Sequence, residues 1–107
     1  MNKPSYSILL GCYGDYPHYS VRALRSILES VSAEERDFVV LVGANCCGAE
    51  TLQALRRAYE ENQIQLLIES RANLNKDPMM RLLIDAAQTE YVVWMDDDTP
   101  VSYTHLT

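Results

Sequence analysis

A chain of 107 residues that is 48% hydrophobic and 22% charged suits one small globular domain or a portion of a larger one, and it contains no internal repeat or low-complexity linker. Its formal net charge of -6, with 9 Lys and Arg against 15 Asp and Glu and no basic block, excludes nucleic acid as a partner, because a polyanionic backbone is held through Lys and Arg. An anionic ligand would therefore need a metal.

Cys12, Cys46 and Cys47 make an odd count, and adjacent cysteines rarely bridge each other, so the expectation is reduced thiols in a cytosolic protein. A structural zinc site is not expected, since there is no C-x-x-C pair and the two histidines, His18 and His105, lie far apart in sequence. The N-terminal residues 1–5 run into an apolar segment too short for a signal peptide, and no stretch approaches the length of a membrane span. The expected location is cytoplasmic, with membrane association only through sequence outside these residues.

In chain order, residues 6–12 form a short apolar run ended by Gly11 and Gly14, which predicts a first buried strand. Beyond the loop 13–17, apolar residues recur at Val21, Leu24, Ile27, Leu28 and Val31, with Arg22, Arg25 and Glu29 on the other side. This predicts an amphipathic helix with Pro17 in its first turn. Residues 37–43 are β-branched and end in glycine, a second strand. The loop 44–48 leads to a helix with Leu52, Leu55 and Tyr59 on one face, and residues 64–69 are a third strand. Asp77 is the expected N-cap of a third helix, with Pro78 at its first position and Met80, Leu83, Ile84 and Ala87 as its buried stripe. Residues 91–95 are the fourth strand.

Strand and helix alternate through four strands and three helices, so the expected fold is α/β, a Rossmann-like parallel sheet with right-handed crossovers. Such a sheet gathers the loops after strands one, two and four on one rim, which would bring together Tyr13, Asp15, Asn45 and the acids that follow strand four.

Those acids are Asp96, Asp97 and Asp98, three adjacent carboxylates that repel one another unless a cation or donor groups lie close. The run 92–95 has no polar face, which predicts a central strand. A D-x-D spacing of hard oxygen ligands suits magnesium or manganese held together with a substrate's phosphates, so Asp96 and Asp98 are candidate metal ligands. The blander alternative is a solvated cluster or a helix cap.

Residues 100–107 fit no element. The codons GTC TCT TAT ACA CAT CTG ACG spell Val101 through Thr107, and that DNA resembles the transposase adapter used in sequencing libraries. We expect native sequence to end near Thr99 and the remainder to be non-native.

Laid out in this way, residues 6–99 resemble the donor-binding half of a family 2 glycosyltransferase with the GT-A fold. In that family a T-Y-N type motif ends the first strand, and the segment 11–15, Gly-Cys-Tyr-Gly-Asp, stands in its place with Tyr13 as the literal match. The family's acid-rich turn after the second strand is replaced here by residues 43–51, where Asn45 substitutes for the expected carboxylate. An A-R-N segment belongs in the helix before strand four; Met79-Met80-Arg81 occupies it, with the arginine displaced by one residue. The match at residues 91–98, a strand followed by D-x-D, is the strongest.

The resemblance implies transfer of a sugar from a nucleotide-diphosphate donor to an acceptor hydroxyl with inversion, the acceptor being a glycan, lipid or protein. It implies that Asp98 ligates a Mn2+ or Mg2+ ion bridging the diphosphate, and that Asp96 shares the metal or holds the ribose. Tyr13, Asp15, Asn45, Arg81 and Asp97 complete the implied nucleotide contacts. The catalytic base lies well downstream of D-x-D in this family, so the chain is expected to be inactive alone, and a fourth strand without its neighbour is an expected aggregation site.

Two other readings compete. A haloacid-dehalogenase-type phosphatase carries its nucleophile in hhhh-D-x-D-x-[TV], which residues 96–100 resemble except at Pro100. That motif opens its domain, whereas here it follows three strand and helix units. The other is a non-catalytic nucleotide-binding module, although neither G-x-x-x-x-G-K nor G-x-G-x-x-G occurs in the chain.

Overall fold

The computed structural model of the chain describes residues 4–32 and 34–97. Two of its strands are apolar on both faces, and they form the centre of the sheet: β1 (Tyr6–Tyr13) and β2 (Phe38–Asn45) are buried along nearly their whole length. A strand covered on both sides reads as a continuous hydrophobic run, as these do. β3 (Leu66–Ser70) pairs with β2 and β4 (Tyr91–Asp96) with β1, all parallel, in the order β3-β2-β1-β4. The predicted Rossmann-like α/β fold is the fold found.

Helices cover the two faces unequally. α1 (Pro17–Glu29) and α2 (Ala49–Glu60) contribute Leu24, Ile27, Leu55 and Ala58 to the larger core, against Ile8, Leu10, Val40 and Val42 of the central strands. On the other face α3 (Lys76–Ala86) sets Leu83 against Leu9 and Leu41, with Trp94 at the margin. The chain runs from β1 to β2 to β3 in one direction and then returns to place β4 on the far side of β1. A right-handed crossover made in the reverse direction puts its helix on the opposite face, which is where α3 lies. The direction changes between β1 and β4, and ligands of open α/β sheets bind outside the strand ends at such a point.

Three expectations need comment. Among the described residues β4 is an edge strand and not a central one, with Tyr91 66% and Val92 42% exposed, which agrees with the expectation of a fourth strand without its neighbour. Its uniform hydrophobicity reflects packing of its later residues, Trp94 on the α3 face and Met95 on the other. The N-cap of α3 is Asn75, not Asp77, so the helix begins at Lys76 and its buried residues are Met79 and Leu83, while Ile84 is 39% exposed. In α2 the buried face is Thr51, Leu55 and Ala58, and Tyr59 is exposed.

Gly43 explains how α3 reaches the sheet. A Cβ there would lie 2.6 Å from the Met79 sulfur, closer than side chains approach one another. Its register partner is Gly11, so the two central strands are bare at the same level. The first turns of α3 settle into that gap, which brings the start of the helix to the carboxyl ends of the strands.

Candidate functional site

Side chains alternate across a strand, so the rim at the carboxyl ends of β1, β2 and β4 divides into two groups. On the α3 face stand Tyr13, Asn45, Trp94 and Asp96; on the α1 face stand Cys12 and Asp97. Asp96, level with Gly11 in the β1–β4 ladder, accepts the Trp94 indole N–H on Oδ1 at 2.9 Å, and the ammonium of Lys76 lies 3.2 Å from its Oδ2. Lys76 Nζ also stands 5.9 Å from the centre of the Trp94 ring. The Tyr13 hydroxyl folds back over Gly11 beside the same indole. The Asp96 side chain is 23% exposed and that of Lys76 50% exposed, which leaves the pair open to exchange with a solute.

Asp97 is 6% exposed and points the other way. Its Oδ2 accepts the Ser20 hydroxyl at 2.7 Å, and its backbone N–H donates to the Gly11 carbonyl at 3.1 Å. These bonds tie the end of β4 to β1 and to the first turn of α1. Burial, and then the Asp97 charge, push the Cys12 thiol far above its ordinary range. The same causes in the same order raise Cys47 to about 11. Cys47 donates its S–H to the Cys12 carbonyl at 3.3 Å. Both thiols are therefore protonated near neutral pH, neither a nucleophile nor a ready metal ligand.

Several residues expected at a nucleotide are engaged elsewhere. Both ends of the Asn45 amide bind the backbone of Leu74: Nδ2 donates to its carbonyl, and its N–H donates to Oδ1 at 2.8 Å. The sequence placed Asn45 in a loop, but β2 runs through it, and at 1% exposure it fastens the segment before α3 instead of facing solvent. Asp15 accepts the Thr51 hydroxyl at 3.3 Å and packs on Gly48, where a Cβ would fall 2.2 Å from its Cγ. Gly48 is the N-cap of α2 and has no side chain, so Asp15, itself exposed, adds its negative charge to that of Glu50 at the helix N-terminus. Arg81 sits two residues from both Met79 and Leu83; at about 100° per residue it projects away from the sheet, and it is exposed. The structure does not bring it to the acids. Asp98 lies outside the described residues.

Sequence reasoning missed Ser20, Trp94 and Lys76. Ser20 had a signal, since it continues the Leu24 and Ile27 stripe of α1 back by one turn. Lys76 has none, because the Asp77-Pro78 cap pattern leaves the lysine outside the helix.

Among the described residues no group of three or more His, Cys, Asp or Glu side chains is poised to hold a metal. Magnesium beside a substrate's phosphates needs only one or two protein carboxylates, however. Asp96 meets that requirement: it is partly open at a strand end and already draws a cation. Among the described residues no helix is long and apolar enough to cross a membrane.

No protein-family profile and no curated protein matches the sequence. Among solved structures, S. aureus TarS, a GT-A-type glycosyltransferase, is similar with a TM-score of 0.70 and 22% identity over 88% of this chain. At that identity the likeness establishes a shared fold and nothing finer. The chain spans 16% of the length of TarS.

Proposed function

We propose that this chain is the donor-binding portion of a metal-dependent glycosyltransferase, which transfers a sugar from a nucleoside-diphosphate sugar to an acceptor hydroxyl with inversion. The supporting observation is Asp96: a partly open carboxylate at the end of a strand beside the reversal point of the sheet, already attracting a cation. The shared fold with TarS is consistent with this reading. Asp96 and Asp98 would hold Mn2+ or Mg2+, which when bound supplies Lewis-acid neutralisation of the leaving diphosphate.

The chain's own residues prepare that chemistry. Trp94 fixes the orientation of the Asp96 carboxylate, so less of its rotational freedom is lost on binding a donor. Asp97, tied to Ser20 and Gly11, holds the end of β4 against β1 and keeps the crevice in shape. Tyr13 lines the same face and is the proposed contact for the base or ribose. A general base for the acceptor is expected beyond these residues, so multiple-turnover transfer is not expected from the 107-residue chain.

The test is calorimetric titration with UDP, GDP and dTDP, with and without manganese, beside Asp96→Asn and Asp98→Ala. Manganese-dependent binding of one nucleotide, weakened at least tenfold in both variants, is the expected result (about 1.4 kcal/mol). Equal binding by wild type and variants, or none by a folded chain, would refute the donor-site reading.

A further inference from the structure

We propose that Lys76 is an internal counter-cation that couples binding of a divalent metal at Asp96 to binding of a diphosphate. The inference rests on the donor-site reading above and concerns the order in which that site fills.

The geometry carries it. Both oxygens of Asp96 are engaged, Oδ1 by the Trp94 indole at 2.9 Å and Oδ2 by the Lys76 ammonium at 3.2 Å. A divalent cation approaching Asp96 alone meets a like charge and must displace that ammonium. Neither partner is sealed in, however, for half of the lysine side chain is exposed. A flexible four-carbon stem lets a lysine move to another anion nearby at small cost. A diphosphate is such an anion. When it arrives, the ammonium has a new partner, Oδ2 is released, and the repulsion between lysine and metal is offset by the charge between them. Metal alone therefore binds weakly, diphosphate with metal binds well, and by linkage each strengthens the other by the same factor.

Lys76 is suited to this by its place in the fold. It is the first residue of α3, and the close approach of that helix over Gly43 brings its stem to the strand ends. It acts on Asp96 while the site is empty and on the diphosphate once the site is filled.

Trp94 provides the readout. It is the single tryptophan of the chain and is bonded to the carboxylate in question, so its emission reports changes at Asp96. Mg2+ is titrated into the full chain, alone and with UDP, GDP or dTDP, following Trp94 emission and heat, for wild type, Lys76→Met, Lys76→Gln and Lys76→Arg. Circular dichroism establishes that each variant is folded, and the two neutral variants guard against one that is not.

In wild type the nucleotide should strengthen Mg2+ binding. In Lys76→Met and Lys76→Gln, Mg2+ alone should bind about tenfold more tightly and the strengthening by nucleotide should fall by a similar factor, within the usual range of coupling. Lys76→Arg should retain wild-type behaviour. Neutral variants with unchanged or weaker Mg2+ binding and undiminished coupling would overturn the role of Lys76 while leaving the donor site intact. A folded wild type that binds neither Mg2+ nor nucleotide would overturn the donor-site reading and this inference together.

Discussion

Asp96 turns its carboxylate to a cation on the α3 face, and Asp97 turns its own to a hydroxyl on the α1 face. Adjacent in sequence, they are separated by the pleat of the strand, one left exchangeable and the other built into the framework. Asn45 belongs to the framework as well. Its amide supplies a donor and an acceptor to the backbone of Leu74. Asn45→Ala should cost about 2–3 kcal/mol, because both backbone groups of Leu74 lose their partner. The fall in the urea midpoint measures it; Asn45→Ala with wild-type stability would show that the clamp contributes little. Nucleotide affinity should fall much less than in Asp96→Asn if the protein is held below its unfolding range.

At the scale of elements, α3 determines what the site contains. Its placement depends on Met79 and Leu83, both fully buried, meeting a sheet left bare at Gly43. Leu83→Ala should destabilise by about 2–5 kcal/mol through the lost burial and the cavity left between α3 and the sheet. Gly43→Ala should lift the start of α3 away from the sheet, since its new methyl would meet the Met79 sulfur at 2.6 Å. The expected signature of that lift is a shift in Trp94 emission as Lys76 is drawn off Asp96, together with a lower melting temperature. Unchanged emission and melting would show that Met79 yields without moving the helix. The helix was legible as an element, and its boundary was not. Asp77 before Pro78 is the stronger local cap pattern, but Asn75, held in extended backbone next to the Leu74 clamp, starts the helix two residues sooner. That shift moves Lys76 into the helix and alters the stripe that faces the sheet.

For the whole molecule, the thiols beneath the rim make stability depend on alkaline pH. Burial first, and Asp97 second, raise Cys47 from an ordinary value of 9.0 to about 11, and Cys12 further in the same direction. A thiol whose folded pKa is raised stays protonated after the unfolded chain has lost its proton. Its contribution is complete below pH 9 and is lost as the pH rises toward 11, the unfolded state binding fewer protons throughout that window. The melting temperature should therefore fall between those values, and Cys47→Ala should flatten the fall. An equal slope in wild type and Cys47→Ala would show that the thiol does not carry the effect.

What the sequence determined by itself was the fold and the location of its rim. Local pattern suffices for this: apolar runs of strand length separated by amphipathic helices admit few arrangements, and parallel strands collect their following loops at one end. That Asp96 lies on that rim was legible for the same reason, whereas its place beside strand one came only from the pairing of β4 with β1. Only the tertiary structure decided which polar groups are available there. Asn45 and Asp97 are taken up by Leu74 and by α1, Asp15 leans on the start of α2 while staying exposed, Arg81 is turned away, and Lys76 takes the place at the acid that the sequence assigns to none of its cations. Whether a polar side chain faces a ligand or a neighbouring backbone depends on contacts between segments far apart in the chain. The 29 residues that separate Asn45 from Leu74, and the 77 that separate Ser20 from Asp97, leave no periodicity from which those contacts could be read.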